Sequence, residues 1–171
     1  VVLQQNLDRT VLETQLKDSR LLSEITAHFR RSRGKKTREA ITKSAWLIAD
    51  NFGFSYVQVF LLDQSGSFLR PQVENDDDSG IDLSNDDHPL VEAFHSGIAK
   101  RYETPAGQAN NHFFKGETAW VSPLIADRNS IGALALWKLR SEDTNLTTVD
   151  LDRILTIASH LSDSIHVDHN I

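Results

Sequence analysis

Ala49-Asp50-Asn51-Phe52-Gly53-Phe54-Ser55-Tyr56-Val57-Gln58-Val59-Phe60-Leu61-Leu62-Asp63 decides how the chain folds, because one periodicity gives way to another inside it. From Arg38 to Asn51, Ile41, Ala45, Ile48 and then Phe52 recur at threes and fours, the spacing of one helical face. Gly53 stands where a left-handed residue commonly closes a helix. Ser55 to Leu62 is dense in β-branched and aromatic residues and predicts a strand. Asp63-Gln64-Ser65-Gly66 is a turn, and Ser67 to Val73 reads as a second, antiparallel strand.

Towards the N-terminus, Val1 to Arg31 lacks Gly and Pro and places Leu3, Leu7, Val11, Leu12, Leu16, Leu21, Leu22, Ile25 and Phe29 largely on one face, without a clean heptad. The basic stretch Arg30 to Arg38, with Gly34 as a helix stop, reads as a solvated junction between two helices. Towards the C-terminus, Glu74 to Asp87 is acidic, aperiodic and expected to be an exposed loop. It lacks the alternating ligands and terminal glutamate of an EF-hand. Asp86 or Asp87 is expected to cap a short helix that carries Pro89 in its first turn and ends near Gly97.

Lys100 to Glu117 mixes turn formers with Tyr102, His112, Phe113 and Phe114, which suits a lid. Ala119 to Ile125 and Ile131 to Leu139 read as strands joined by Ala126 to Ser130, a hairpin near the sheet centre. Thr147 or Thr148 begins a last helix, with Asp150 in a capping-box relation to Thr147 and an apolar stripe from Leu151 to Ile165.

At 171 residues the chain suits one domain, and 39% apolar with 25% charged residues places it among folded globular proteins. The net charge of −6 opposes general attraction to nucleic acid or an anionic membrane. No apolar run approaches the roughly 20 residues that cross a bilayer. With no cysteine there is no disulfide, thiolate metal site or thiol nucleophile, which fits a cytoplasmic location. The absence of methionine suits a segment cut from a longer protein. No Gly-x-Ser-x-Gly elbow, phosphate-binding glycine loop or His-Glu-x-x-His pair points to catalysis, and the chain is expected not to be an enzyme.

The passage Ala49 to Asp63 resembles the opening helix-to-strand segment of GAF domains. Ala119 to Leu124, ending Ser122-Pro123-Leu124, followed by Ile131-Gly132-Ala133-Leu134, is similar to the family's late hairpin, and Leu146 to Ile165 to its closing helix. The resemblance covers roughly Leu22 to Ile165. It implies an α+β, GAF/PAS-like fold: a central antiparallel sheet of about five to six strands flanked by N- and C-terminal helices. Residues 1–31 would be a signalling or dimerising helix, 32–165 the GAF domain and 166–171 a tail.

It also implies a sensory module that binds a small molecule, dimerises through its terminal helices, or both, to regulate an effector absent from this chain. A ligand-free interaction module and a sensor of cyclic nucleotide, haem or noncovalent tetrapyrrole are the alternatives. The lack of cysteine disfavours covalent bilins, and Thr144 to Leu151 lacks the cyclic-nucleotide signature. No cofactor is assigned, and neither nucleic acid nor membrane insertion is expected.

For the ligand site, alternation puts Gln58 and Phe60 on one face of their strand, and Trp120 and Ser122 together on one face of theirs. Tyr102, His112 and Phe113 belong to the expected lid, and His95 stands near it on the short helix. Gln58 is the informative member, since a buried amide must find hydrogen-bond partners. His88 and His95, seven residues apart, and His112 are weak candidates for a metal or haem, as no acidic or thiolate co-ligand is spaced with them.

Overall fold

The computed structural model describes residues 2–32, 36–73, 79–103, 118–138 and 147–169. Its elements run α1 (Val2–Ser32), α2 (Thr37–Phe52), β1 (Tyr56–Leu62), β2 (Phe68–Pro71), β3 (Ile81–Asp82), α3 (Pro89–Ser96), β4 (Lys100–Glu103), β5 (Thr118–Ala126), β6 (Asn129–Lys138) and α4 (Thr148–His169). Gly53 and Gly97 close α2 and α3 in the left-handed conformation, as the sequence implies. Asp150 accepts a hydrogen bond from the Thr147 amide at 2.8 Å, so one half of the expected capping box forms.

The strands make one sheet of order β3-β2-β1-β6-β5-β4, antiparallel at every pairing. The expected fold class is therefore the observed one. Three local expectations are corrected. The acidic stretch contains β3, and the segment read as a lid begins with β4: strands of two and four residues are too short to show a period. α4 also runs on through the residues read as a tail, as far as His169.

Each face of the sheet has its own core. Val57, Val59, Leu61, Trp120, Leu124, Leu134 and Leu136 point to the side covered by α1, α2 and α4, where they pack with Leu21, Ile25, Ile41, Ile48, Ile154 and Leu161. Phe60, Leu69, Ala119, Val121, Ala133 and Ala135 point the other way, against Leu90, Val91 and Ala93 of α3. The small alanines of β5 and β6 let α3 lie close to the sheet. Burying each large aliphatic side chain in either core contributes about 1.5–3 kcal/mol before entropy is counted.

The β5–β6 connection is a two-residue loop, Asp127 and Arg128, both at positive φ (50° and 67°), between the paired residues Ala126 and Asn129. This is the mirror-image turn that matches strand twist, and it normally selects glycine. Arg128→Gly is expected to stabilise the domain by about 0.5 kcal/mol. The relief of left-handed strain, about 1–2 kcal/mol, exceeds the unfolded-chain entropy that glycine adds, about 0.5–1 kcal/mol. A urea melt checks this, and a lower midpoint would contradict it.

Candidate functional site

The sequence-derived candidates divide between the two faces. Gln58, Phe60 and Tyr102 belong to the α3 side. Gln58 is 2% exposed and both ends of its amide are engaged: Oε1 accepts from the amides of Val59 (3.0 Å) and Val73 (2.8 Å), and Nε2 donates to the Val73 carbonyl (2.9 Å). It thereby extends the β1–β2 contact to Val73, one residue past the last backbone bond, from the Gln72 amide to the Val59 carbonyl at 2.8 Å. Phe60 is buried between Leu69, Ile81 and α3. Trp120 and Ser122 do share a face, but it is the opposite one. Trp120 packs edge-on to Phe54 at 6.3 Å among the helix-side residues, and the buried Ser122 hydroxyl donates to the Pro123 carbonyl at 3.2 Å. His112 and Phe113 lie outside the described residues.

α3 and β4 build a polar cluster that the sequence did not reveal. The Tyr102 hydroxyl donates to Glu92 Oε2 at 2.8 Å, and Lys100 Nζ ion-pairs with the other carboxylate oxygen. Alternation along β4 places Lys100 and Tyr102 on one side, and the first turn of α3 brings Glu92 to meet them. Burial, together with the hydrogen bond to Glu92, pushes the Tyr102 phenol far above its usual range. Hydrogen bonds from Lys100 and Tyr102 hold the Glu92 carboxyl below the ordinary carboxylate range. Glu92 therefore stays a carboxylate and Tyr102 a neutral phenol across physiological pH. The cluster lies where β4 leads into residues 104–117.

His95 is exposed on the last turn of α3, edge-on to Phe94 at 5.3 Å. His88 is not on that face. It is the N-cap of α3, in place of the expected Asp86 or Asp87, and its Nδ1 accepts from the Leu90 amide at 3.2 Å. Among the described residues no group of three or more His, Cys, Asp or Glu side chains could hold a metal ion.

An N-cap acceptor on Nδ1 requires the neutral ring, and burial lowers the His88 pKa from 6.5. The folded chain thus binds this proton less readily than the unfolded one. The cap's contribution, about 1 kcal/mol, is fully present above the unfolded value and is lost as pH falls through the folded value. His88→Asn keeps a good cap without a titrating group. Between pH 7 and pH 5 the variant is expected to lose less stability than the wild type. Parallel slopes would show that His88 does not cap α3 through its neutral ring.

On the opposite face α1 and α4 are joined by three polar contacts. Arg153 binds Asp18 through two hydrogen bonds of 2.8 Å. Two turns on, His160 Nε2 lies 2.8 Å from Thr26 Oγ1 and 3.1 Å from the Leu22 carbonyl, which can only accept, so this nitrogen carries the hydrogen. Near the end of α4, the buried Asp168 accepts from Thr37 and from Ser32, the latter at 3.4 Å. Both residue numbers rise together from contact to contact, so the two helices run parallel.

No family model and no curated relative matches the sequence. Solved structures do match in shape. The GAF domain of an Acinetobacter phosphoenolpyruvate-protein phosphotransferase superposes with TM-score 0.67 at 14% identity, over 88% of this chain and 93% of that one. The phycoerythrobilin-bound GAF domain of a cyanobacterial phytochrome gives 0.67 at 17%, over 91% and 98%. The free methionine-R-sulfoxide reductase of Neisseria meningitidis, in complex with its substrate, gives 0.67 at 16%, over 92% and 93%. The chain has the GAF fold. Among the described residues no helix is long and apolar enough to cross a membrane.

Proposed function

We propose that this chain is the sensory domain of a cytoplasmic signalling protein, in which a small molecule bound on the α3 side of the sheet biases the parallel pair α1–α4 and so an effector outside this chain. The observation that carries the reading is the division of the sheet. One face binds α1 to α4 by Asp18–Arg153, Thr26–His160 and Ser32–Asp168. The other presents the Glu92–Lys100–Tyr102 cluster. Two proteins of the same fold, the phytochrome domain and the sulfoxide reductase, hold small molecules. Residues 1–31 would act as the signalling and dimerising helix and the residues from 32 on, with α4 running to His169, as the sensor. Val11, Leu12 and Leu16 leave more than half their surface open on α1 and offer a contact for a second copy.

The reading is non-enzymatic. The sulfoxide reductase shares the fold, but within this chain no cysteine supplies thiol electrons for such a reduction. A second reading, a ligand-free interaction module, is favoured by how fully Leu90 and Val91 are buried against Phe60 and Leu69.

Melting of wild type and Tyr102→Phe against a panel of metabolites, cyclic nucleotides, haem and linear tetrapyrroles separates the two. A sensor should melt several degrees higher with at least one compound, and Tyr102→Phe should lose part of that gain, since only the native state binds. A panel in which nothing shifts the wild type favours the interaction module. A compound that stabilises both proteins equally would remove Tyr102 from the site.

A further inference from the structure

The charge of this acidic chain is inverted at one place. Between the last turn of α1 and the first turns of α2 lies a groove of about 210 Å³ whose walls include His28, Arg31, Lys36, Lys43 and a single carboxylate, Glu39. Lys36, Glu39 and Lys43 follow at intervals of three and four along α2, so they share one helical face. Glu39 is already matched by Lys43 at 3.0 Å. Among the described residues Arg31 and Lys36 make no side-chain hydrogen bond or ion pair, and both are exposed. α2 begins at this groove, and its N-cap residue Lys36 makes no side-chain cap.

We propose that this groove binds a small, multiply charged phosphate-bearing anion of about the size of a diphosphate, at a site separate from the α3 face. A guanidinium offers phosphate a two-pronged donor pair and Lys36 adds a point charge. A groove of about 210 Å³ suits a compact anion rather than a folded partner. The chain's net charge of −6 repels extended polyanions and anionic membrane, so a small soluble ligand is the matching class. Ser32 also lines the groove, and its hydroxyl faces the buried Asp168 near the end of α4. That hydroxyl has one hydrogen to give and two acceptors for it, the Phe29 carbonyl at 2.9 Å and Asp168 at 3.4 Å, so an anion that takes it competes with both.

The test is calorimetric titration of the intact chain with sodium pyrophosphate at low salt. It is repeated for Arg31→Glu, Lys36→Glu and Tyr102→Phe, with circular dichroism confirming that each is folded. Wild type and Tyr102→Phe are expected to bind one equivalent alike. Each charge reversal should weaken binding about tenfold or more, as expected for losing a charge-assisted hydrogen bond. Absence of binding to wild type, or equal binding by the charge-reversed variants, overturns the proposal. So does a hexa-aspartate peptide that binds as tightly as pyrophosphate, which would assign the groove to an acidic protein segment. Because Tyr102→Phe leaves the groove intact, the fate of the α3-face reading does not decide this one.

Discussion

Gly132→Ala is expected to remove much of the domain's stability. Gly132 lies in β6, between β1 and β5, opposite Leu61 on one side and Leu124 on the other. A Cβ added there would stand 1.9 Å from the Phe60 carbonyl oxygen, 3.0 Å from its carbon and 3.1 Å from Leu61 Cα. All three atoms are backbone, and β1 is held by β2 and β6 at once, so no side-chain rotation relieves the overlap. The register shift at Leu124/Ile125 leaves Ile131 as the extra residue next to Gly132, and such a bulge often needs a bare backbone beside it.

Overpacking of this kind costs about 3 kcal/mol or more, a large part of the roughly 5–15 kcal/mol that holds an ordinary domain together. Gly66→Ala is the informative comparison, since Gly66 has φ 74° but nothing within 4 Å of an added Cβ. It should cost only the left-handed penalty, about 1 kcal/mol. Urea melts of the two variants measure the difference, and equal losses would mean that backbone strain, not collision, governs both sites.

Arg153→Ala has the next largest expected effect. Arg153 donates two hydrogen bonds to Asp18 on α1 and a third, at 2.6 Å, to Asp150, while its guanidinium lies 4.8 Å from the centre of the Phe52 ring on α2. Asn51 also donates to Asp18, at 3.0 Å, so three helices meet at one carboxylate. Burial pushes the Asp18 carboxyl up, but hydrogen bonds from Arg153 and Asn51 outweigh it and hold it below the usual carboxylate range.

Arg153 is 24% exposed and Asp18 19%, so the loss is expected at about 2 kcal/mol, below the 3–5 kcal/mol for breaking a fully buried pair. Arg153→Lys should restore less than half, because an ammonium cannot make the two-pronged contact or stack on Phe52 in the same way. The stabilisation is present above the unfolded carboxylate pKa and disappears as pH falls through the depressed folded value, so at strongly acidic pH wild type and variant should converge. A double-mutant cycle with Asp18→Ala checks the coupling, which a value near zero would contradict.

What could be read from the sequence follows from how far apart the deciding residues lie. β1 and α2 were legible because Gly53 separates two unlike periodicities within a few residues, and Asp150 caps Thr147 locally. The resemblance at Ala49–Asp63 and Ser122–Leu134 supplied the fold. The face occupied by Trp120 was not legible. Alternation pairs it with Ser122, but its relation to Phe60 depends on the length of the β5–β6 turn and on the bulge at Leu124/Ile125. The expected connection of five residues is two, Asp127 and Arg128, and a change of parity carries every side chain of β5 to the other face. The contacts between α1 and α4 join residues more than 130 apart, and the Glu92–Tyr102 contact depends on a four-residue strand inside a stretch rich in turn formers. No local pattern announces either.

The functional reading rests on α1 and α4 acting as one unit on the helix-covered face, independently of α3 and β4. Hydrogen exchange of the intact wild type and Arg153→Ala, followed peptide by peptide under native conditions, measures this directly. Amides of α1 from Asp18 onward and of α4 are expected to lose protection together while α3 and β4 keep their wild-type rates. Loosening of α4 with α1 unchanged, or equal loosening of α3 and β4, would show that the two faces are not divided in this way.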